Sequence, residues 1–193
     1  LKSNGTTAHS PHGLCFVGNR IAVTNIYGST VSDHNVRIYE TNGSHVATLG
    51  TGVPGSDDGQ FDKPFNVTIN ASGDLLVSDY DNHRIQVFDA NGTYLRKFGF
   101  LGDQYFDPTG LLADEAGSLY VADGRAHRIL KWDENATGIS IIATQGASEG
   151  SVKEPRQMAF GPSGRIYVAE RDNNRVSVFE RNGTFIRSFG SEF

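Results

Sequence analysis

From Asp79 to Gly99 the chain reads DYDNHRIQVFDANGTYLRKFG: a polar loop, an alternating strand over 84–88, an Asn-Gly turn and a second strand ending in glycine. The phrase recurs as DGRAHRILKWDENATGISIIATQG over 123–146 and as ERDNNRVSVFERNGTFIRSFG over 170–190. A looser copy ends in NVRIYETNGSHVATLG over 35–50. A unit this short cannot bury its apolar face alone. A chain that repeats it must stack the copies, so the period constrains the fold before any other property does.

Two further strand-like runs precede each phrase. They are SPHGLCF with RIAVTN, FDKPFNVTI with DLLVSD, FDPTGLLAD with SLYVAD, and EPRQMAFG with RIYVAE. Pro11, Pro64, Pro108 and Pro155 mark the copies, and Arg37, Arg84, Arg128 and Arg175 read as a second marker. Four copies of four short strands, at a period of roughly 40–50 residues, is the pattern of β-propeller blades. A parallel α/β fold is excluded, because no amphipathic helical pattern separates the strands. The expected architecture is all-β, one array over 1–193 with blades at 9–50, 61–99, 106–146 and 153–190. Residues 1–5 are expected to end the outer strand of a preceding blade, and the 26–35 connector of blade one is about seven residues longer than its counterparts. Composition agrees: 23 Gly, 12 Phe and 7 Tyr against a single Met, Trp and Cys suit short strands and tight turns.

Alternation at Leu75/Val77, Leu119/Val121 and Ile166/Val168 gives each second strand one apolar face to pack between blades. Asn-Gly at 42–43, 91–92 and 182–183 predicts type I′ turns with positive φ at both central residues. Asp79, Asp123 and Glu170 end the second strands, with Asn25 in their place in blade one, and Arg84, Arg128 and Arg175 follow each acid. A catalytic constellation breaks repeat symmetry, since only some blades supply its members. Acid–arginine pairs repeated this evenly read as structural.

A net charge of −5 argues against non-specific nucleic-acid binding. Cys15 is alone and can form no intrachain disulfide. No apolar run reaches the roughly 18 residues of a membrane span, so no membrane partner is expected. No nucleophile–base pair or phosphate-binding glycine loop is legible, and the histidines fall at dissimilar positions, so no metal and no cofactor are expected. Asn4, Asn42, Asn66, Asn70, Asn91, Asn135 and Asn182 fit the glycosylation acceptor pattern, but at least three of them are asparagines that hairpin geometry demands. The expected compartment is the cytoplasm, with an extracellular location as the alternative.

Asn82-His83-Arg84-Ile85, with its flanking P-x-x-hydrophobic, G-x-hydrophobic-x-V-x-D and R-I-x-V-F elements, resembles the NHL repeat, and the resemblance covers essentially the whole chain. The matching segments read as Ala126-His127-Arg128, Asn173-Asn174-Arg175 and, in blade one, His34-Asn35-Val36-Arg37. The family forms six-bladed propellers with the first strand innermost. That implies four blades of a larger ring, incomplete or completed by self-association, with a closed four-blade ring as the alternative. The binding face it implies is the top of the innermost strands, with His12, Phe65, Asn66, Thr109, Arg156 and Gln157. Loops after the second strands add Tyr27, Tyr80, Arg125 and Arg171.

The style is most similar to the C-terminal NHL domains of tripartite-motif (TRIM-NHL) ubiquitin ligases. This implies a non-catalytic module that recognises a protein or peptide segment, as in substrate recognition. One alternative is single-stranded RNA on the same face, which needs a basic surface. The other is a secreted enzyme of the peptide-amidating lyase type, which would gather zinc with histidines from several inner strands. The position of His12 is Phe65, Thr109 and Arg156 in the later blades, so these blades cannot assemble that cluster.

Overall fold

The computed structural model describes residues 10–26, 33–99, 106–133 and 137–190. The strand end expected at 1–5, Tyr27 with most of the long blade-one connector, and the turn around Asn135 lie outside the described residues. Blade one comprises β1 (Pro11–Val17), β2 (Arg20–Asn25), β3 (Asn35–Glu40) and β4 (His45–Leu49). Blade two comprises β5 (Pro64–Ile69), β6 (Leu75–Asp79), β7 (Arg84–Phe88) and β8 (Tyr94–Phe98). Blade three has β9 (Pro108–Ala113), β10 (Leu119–Asp123), β11 (Arg128–Trp132) and β12 (Ile139–Ala143), and blade four has β13 (Pro155–Phe160), β14 (Ile166–Glu170), β15 (Arg175–Phe179) and β16 (Phe185–Phe189). Each blade is an antiparallel meander in chain order, and the inner strands pack in sequence, β1 on β5, β5 on β9 and β9 on β13. The all-β array of four four-stranded blades is the architecture that the repeats predict. Among the described residues no helix is long and apolar enough to cross a membrane.

The core lies between blades, not within them. Val36, Ile38 and Leu49 of blade one meet Phe61, Val67 and Val77 of blade two. Ile85 and Val87 meet Phe106, Leu111 and Val121, and Ile129 and Ala143 meet Val152, Met158 and Val168. Each strand's alternation thus feeds two different cores, one on either side of its sheet. At the two ends of the array this packing stops. Leu14, which takes the β1 position of Val67, Leu111 and Met158, is 64% exposed, whereas those three are 2%, 4% and 8% exposed.

Three expectations need correction. The Asn-Gly hairpins are not type I′: φ is positive at Gly43, Gly92 and Gly183 but not at their asparagines. Gly92 N–H donates to Asp89 O and Asp89 N–H to Thr93 O, and the register slips between Val87 and Phe88. This is a three-residue loop whose glycine forms the bulge, with the asparagine in ordinary right-handed space. Second, Arg37 is not the blade-one member of the arginine series. Asn25 pairs with Asn35 as Asp79 pairs with Arg84, so Asn35 takes the arginine position and Arg37 that of Gln86. The segment matching Asn82-His83-Arg84 is therefore Asp33-His34-Asn35. Third, the glycine that ends the outer strand in blades one, two and four is Thr144 in blade three, and Gly146 lies beyond it.

The repeat's polar triplet works as a two-way fastener. Asp79 is fully buried at the end of β6, where it accepts from the backbone N–H of Asp62 (2.7 Å), Arg84 Nε (2.7 Å) and Asn82 Nδ2 (2.9 Å). Burial pushes its carboxyl up from the ordinary value, against the pull of these donors. Arg84 then reaches back to the carbonyls of Ser56, Asp57 and Gln60 in the incoming connector. Glu170, Arg175 and Asn173 repeat the device on Gly146, Ala147, Ser148 and Ser151.

The residue before the arginine faces the other way, toward the following blade. His34, His83, His127 and Asn174 all adopt left-handed φ of 49–54°. His34 Nδ1 accepts the N–H of Lys63, and His127 Nδ1 that of Glu154. Blade three leads in with Asp107-Pro108, one residue shorter than Asp62-Lys63-Pro64 or Lys153-Glu154-Pro155. The backbone donor is missing there, so His83 Nδ1 meets two acceptors, Phe106 O at 3.1 Å and the Asp107 carboxylate at 2.7 Å.

Candidate recognition face

A break in the ladder opens each inner strand at the same step: between Pro11 and Leu14, Pro64 and Val67, Pro108 and Gly110, and Pro155 and Met158. Bulges of this kind re-aim side chains out of the sheet. They bring His12, Phe65 and Arg156 from three different blades to one place. The His12 ring centroid lies 4.1 Å from that of Phe65, the Tyr80 ring lies 4.9 Å from it, and the Arg156 guanidinium carbon sits 5.6 Å from its centroid. His12 Nδ1 lies 2.9 Å from Phe65 O and donates to it, fixing the imidazole. Phe65 is 9% exposed and so forms the floor of the cluster, while the exposed His12 and the half-buried Tyr80 and Arg156 form its walls. Burial, and then the nearby Asp107 charge, push the Tyr80 phenol up, so it stays a neutral hydrogen-bonding group.

Above this aromatic floor is a tier of paired charges. Glu154 accepts from both Arg156 and Arg171, the latter at 2.7 Å. Burial works to raise the Glu154 carboxyl, but the Arg171 hydrogen bond and the Arg156 charge outweigh it and hold it below the usual carboxylate range. The same bond raises Arg171. Lys63 pairs with Asp81, and Arg125 Nε lies 3.9 Å from the Asp107 carboxylate. The outermost cations, Arg125 and Arg171, keep 68% and 65% of their side-chain surface in solvent.

Two expected site residues are inside the molecule. Thr109 is 1% exposed, and its hydroxyl is spent on the carbonyls of Ala122 and Pro155, stitching blade three to blade four. Thr24 does the same between blades one and two through Phe65 O. Asn66, also buried, donates to Gln157 Oε1 at 3.0 Å and accepts the Leu111 N–H, which ties blade two to blades three and four. These side chains build the face without offering groups to a ligand. Glu154 and Asp107, which set the charge of the face, are missing from the sequence-based set. Their one signal was position, immediately before the proline of each inner strand. Among the described residues no group of three or more His, Cys, Asp or Glu is placed to hold a metal ion.

The profile of the NHL repeat family matches residues 61–88 and 153–179, in blades two and four. Protein brain tumor of Drosophila melanogaster is 29% identical over 136 residues, covering 69% of this chain and 13% of the relative. Protein lin-41 of Caenorhabditis elegans is 32% identical over 69 residues, 36% of this chain and 6% of the relative. The B-box type zinc finger protein ncl-1 of the same organism is 51% identical over 37 residues, 19% and 4%. The chain thus spans a small part of the length of these relatives. Among solved structures, a streptogramin B lyase superimposes with a TM-score of 0.71 at 14% identity, over 96% of this chain and 56% of that one. A virginiamycin B lyase from Staphylococcus aureus does so at 0.70 and 15%, over 97% and 57%. At that identity the likeness is one of fold.

Repeats, blades and relatives together define the class: the chain is a β-propeller array of four blades, with matches to the NHL repeat at 61–88 and 153–179. Within that class it is TRIM-NHL-like, as its likeness to Protein brain tumor, Protein lin-41 and ncl-1 shows.

Proposed function

We propose that this domain is a non-catalytic recognition module that holds a polypeptide segment on the face built around Phe65. The observation that carries this reading is the aromatic cluster of His12, Phe65 and Tyr80, assembled from two blades and rimmed by two arginines that share the Glu154 carboxylate. Aromatic and arginine side chains at a concave centre are the usual anchors of protein interfaces. A phosphodiester backbone is held by positive charge in excess. Here Lys63, Arg156 and Arg171 are each engaged with Asp81 or Glu154. Such a mixed rim suits a segment with one or two acidic residues beside an apolar one better than it suits RNA. The likeness to TRIM-NHL proteins supports a finer reading, in which the segment belongs to a substrate presented to a cytoplasmic ubiquitin-ligase-type protein.

Selection of displayed random peptides against the purified chain tests the chemistry. Recovered sequences are expected to combine an aromatic or aliphatic residue with Asp or Glu. Their affinity should fall at least about tenfold in an Arg125→Glu, Arg171→Glu variant, which alters exposed side chains and leaves the packing intact. Recovery of no acidic consensus, together with single-stranded RNA binding that weakens steeply with salt, would overturn the proposal.

A further inference from the structure

Two inner strands are led in by a residue whose backbone departs from what its place favours. Lys63 and Glu154 each precede a proline, where extended backbone is preferred, yet both hold left-handed φ, 54° and 46°. A non-glycine residue persists there only where its surroundings over-determine it. Each is held from both sides. Its N–H donates to Nδ1 of His34 or His127 in the blade before, and its carbonyl accepts the N–H of Tyr80 or Arg171 in the loop after its own second strand. Both side chains then pair with that same loop, Lys63 with Asp81 and Glu154 with Arg171.

In blade four the pair becomes a convergence. Arg156 from β13 and Arg171 donate to one and the same oxygen of Glu154, Oε1, the second at 2.7 Å. Each guanidinium uses one of its five N–H groups there. Forks of this kind are shaped for both oxygens of a carboxylate, and Glu154 meets them with one. A like charge crowds it as well, because the Asp172 carboxyl stands close enough to bond to it. The Arg156 guanidinium carbon in turn lies 5.6 Å from the Phe65 ring centroid, so the shared oxygen sits at the border of the aromatic cluster.

We propose that Glu154 is a built-in stand-in for the acidic residue of the bound segment: its carboxylate keeps Arg156 and Arg171 converged while the face is empty, and a ligand carboxylate takes its place. The assignment rests on the reading of this face as a site for a segment with an acidic and an apolar residue, and it gives each a position. The acid goes to Arg156 and Arg171, and the apolar residue to Phe65 beside them. The exchange moves a side chain alone, since the Glu154 backbone stays fixed to His127 and Arg171. A competitor inside the site lowers affinity for every ligand and selects those whose carboxylate can accept from both forks. A neutral amide brings one oxygen and no charge, and leaves Glu154 where it is.

Two acetylated, amidated peptides, GFGDG and GFGNG, titrated into the purified chain and into its Glu154→Gln variant, test the proposal. GFGDG is expected to bind the variant about fivefold tighter than the wild type, the order of what a solvent-facing ion pair supplies. GFGNG should bind both alike. In the double variant Glu154→Gln, Arg171→Gln the gain should vanish. Carbon-13 spectra at pH 7 should show the Glu154 carboxyl signal moving on saturation with GFGDG and staying in place with GFGNG. Affinity for GFGDG that is unchanged or lower in Glu154→Gln, an equal gain for GFGNG, a gain that survives the loss of Arg171, an unmoved carboxyl signal, or binding of neither peptide would overturn it. Recovery of displayed peptides with an acidic consensus alongside any of these would leave the recognition face standing and remove only the role of Glu154. Absence of that consensus would remove both.

Discussion

Blades one and two close the same hairpin with different chemistry. In blade two a buried carboxylate and guanidinium, Asp79 and Arg84, meet at 2.7 Å. At that step of the ladder in blade one two amides meet, Asn25 Nδ2 donating to Asn35 Oδ1 at 2.9 Å. The amide pair bridges its own hairpin. The guanidinium goes further, gathering three carbonyls of an irregular connector that forms no strand. A buried ion pair is weak evidence for net stability, because desolvation offsets its attraction. Its advantage here is reach: a five-donor fork satisfies backbone acceptors that an amide is too short to touch.

The largest expected effect tests the charged side. Asp79→Ala leaves Arg84 buried without its carboxylate and should cost about 3–5 kcal/mol in urea unfolding. Asn25→Ala, which breaks one neutral bond, should cost about 1–2 kcal/mol. Equal losses would mean that charge makes no difference at this step. Next in size, Arg84→Lys keeps the charge and loses the fork, and should cost about 1–2 kcal/mol. Hydrogen exchange over 55–60 should quicken in that variant while the 35–40 strand is unaffected.

Smaller effects sharpen the contrast between blades at the surface. Glu154 has a folded pKa below its ordinary 4.5. Its contribution to stability is therefore fully present above that value and is lost as pH falls through the folded value. Glu154→Gln should flatten the thermal stability profile as pH falls below 4.5, by less than ~1 kcal/mol, since Arg171 keeps most of its surface in solvent. Smallest of all in energy is a difference of tautomer. Nitrogen-15 spectra should show Nδ1 protonated in His83, which faces two acceptors, and bare in His127, which accepts the Glu154 N–H.

Much of this was legible in the residues. Period-two alternation, turn glycines and the inner-strand prolines locate the strands, and the even spacing of Asp79, Asp123 and Glu170 marks them as structural. Matching arginine to arginine puts blade one out of register. The turn glycines Gly43 and Gly92 carry the true register, and they set Asn35 opposite Arg84. A polar identity can move two steps along a strand and keep its facing, whereas a turn cannot. The clustering of the candidate site was legible at His12, Phe65, Tyr80 and Arg156, where the sequence departs from its own repeat. It was not legible at Thr109, because a hydroxyl that stitches two backbones looks in sequence like one that faces solvent. Nor did sequence show that Glu154 would sit between Arg156 of β13 and Arg171 of the turn after β14.

An added Cβ at Gly50 would lie 2.8 Å from the Phe61 ring and one at Gly99 2.5 Å from the Phe106 ring, whereas Thr144 is followed into the core by the smaller Val152. These outer strands thus end beside slots for the leading residue of the following blade, and the pairing bears on which piece of the chain is a transferable module. Cutting at the visible edges of a sheet, Phe61 to Gly99, separates each slot from the side chain shaped to it. A graft made that way would force a ring onto a threonine or leave a glycine facing a valine. The exchangeable unit runs instead from one inner-strand proline to the leading residue of the following blade, Pro64 to Phe106, so that every slot travels with its own filler. Duplication and loss of repeats along such a chain would be tolerated in that frame and penalised in any other.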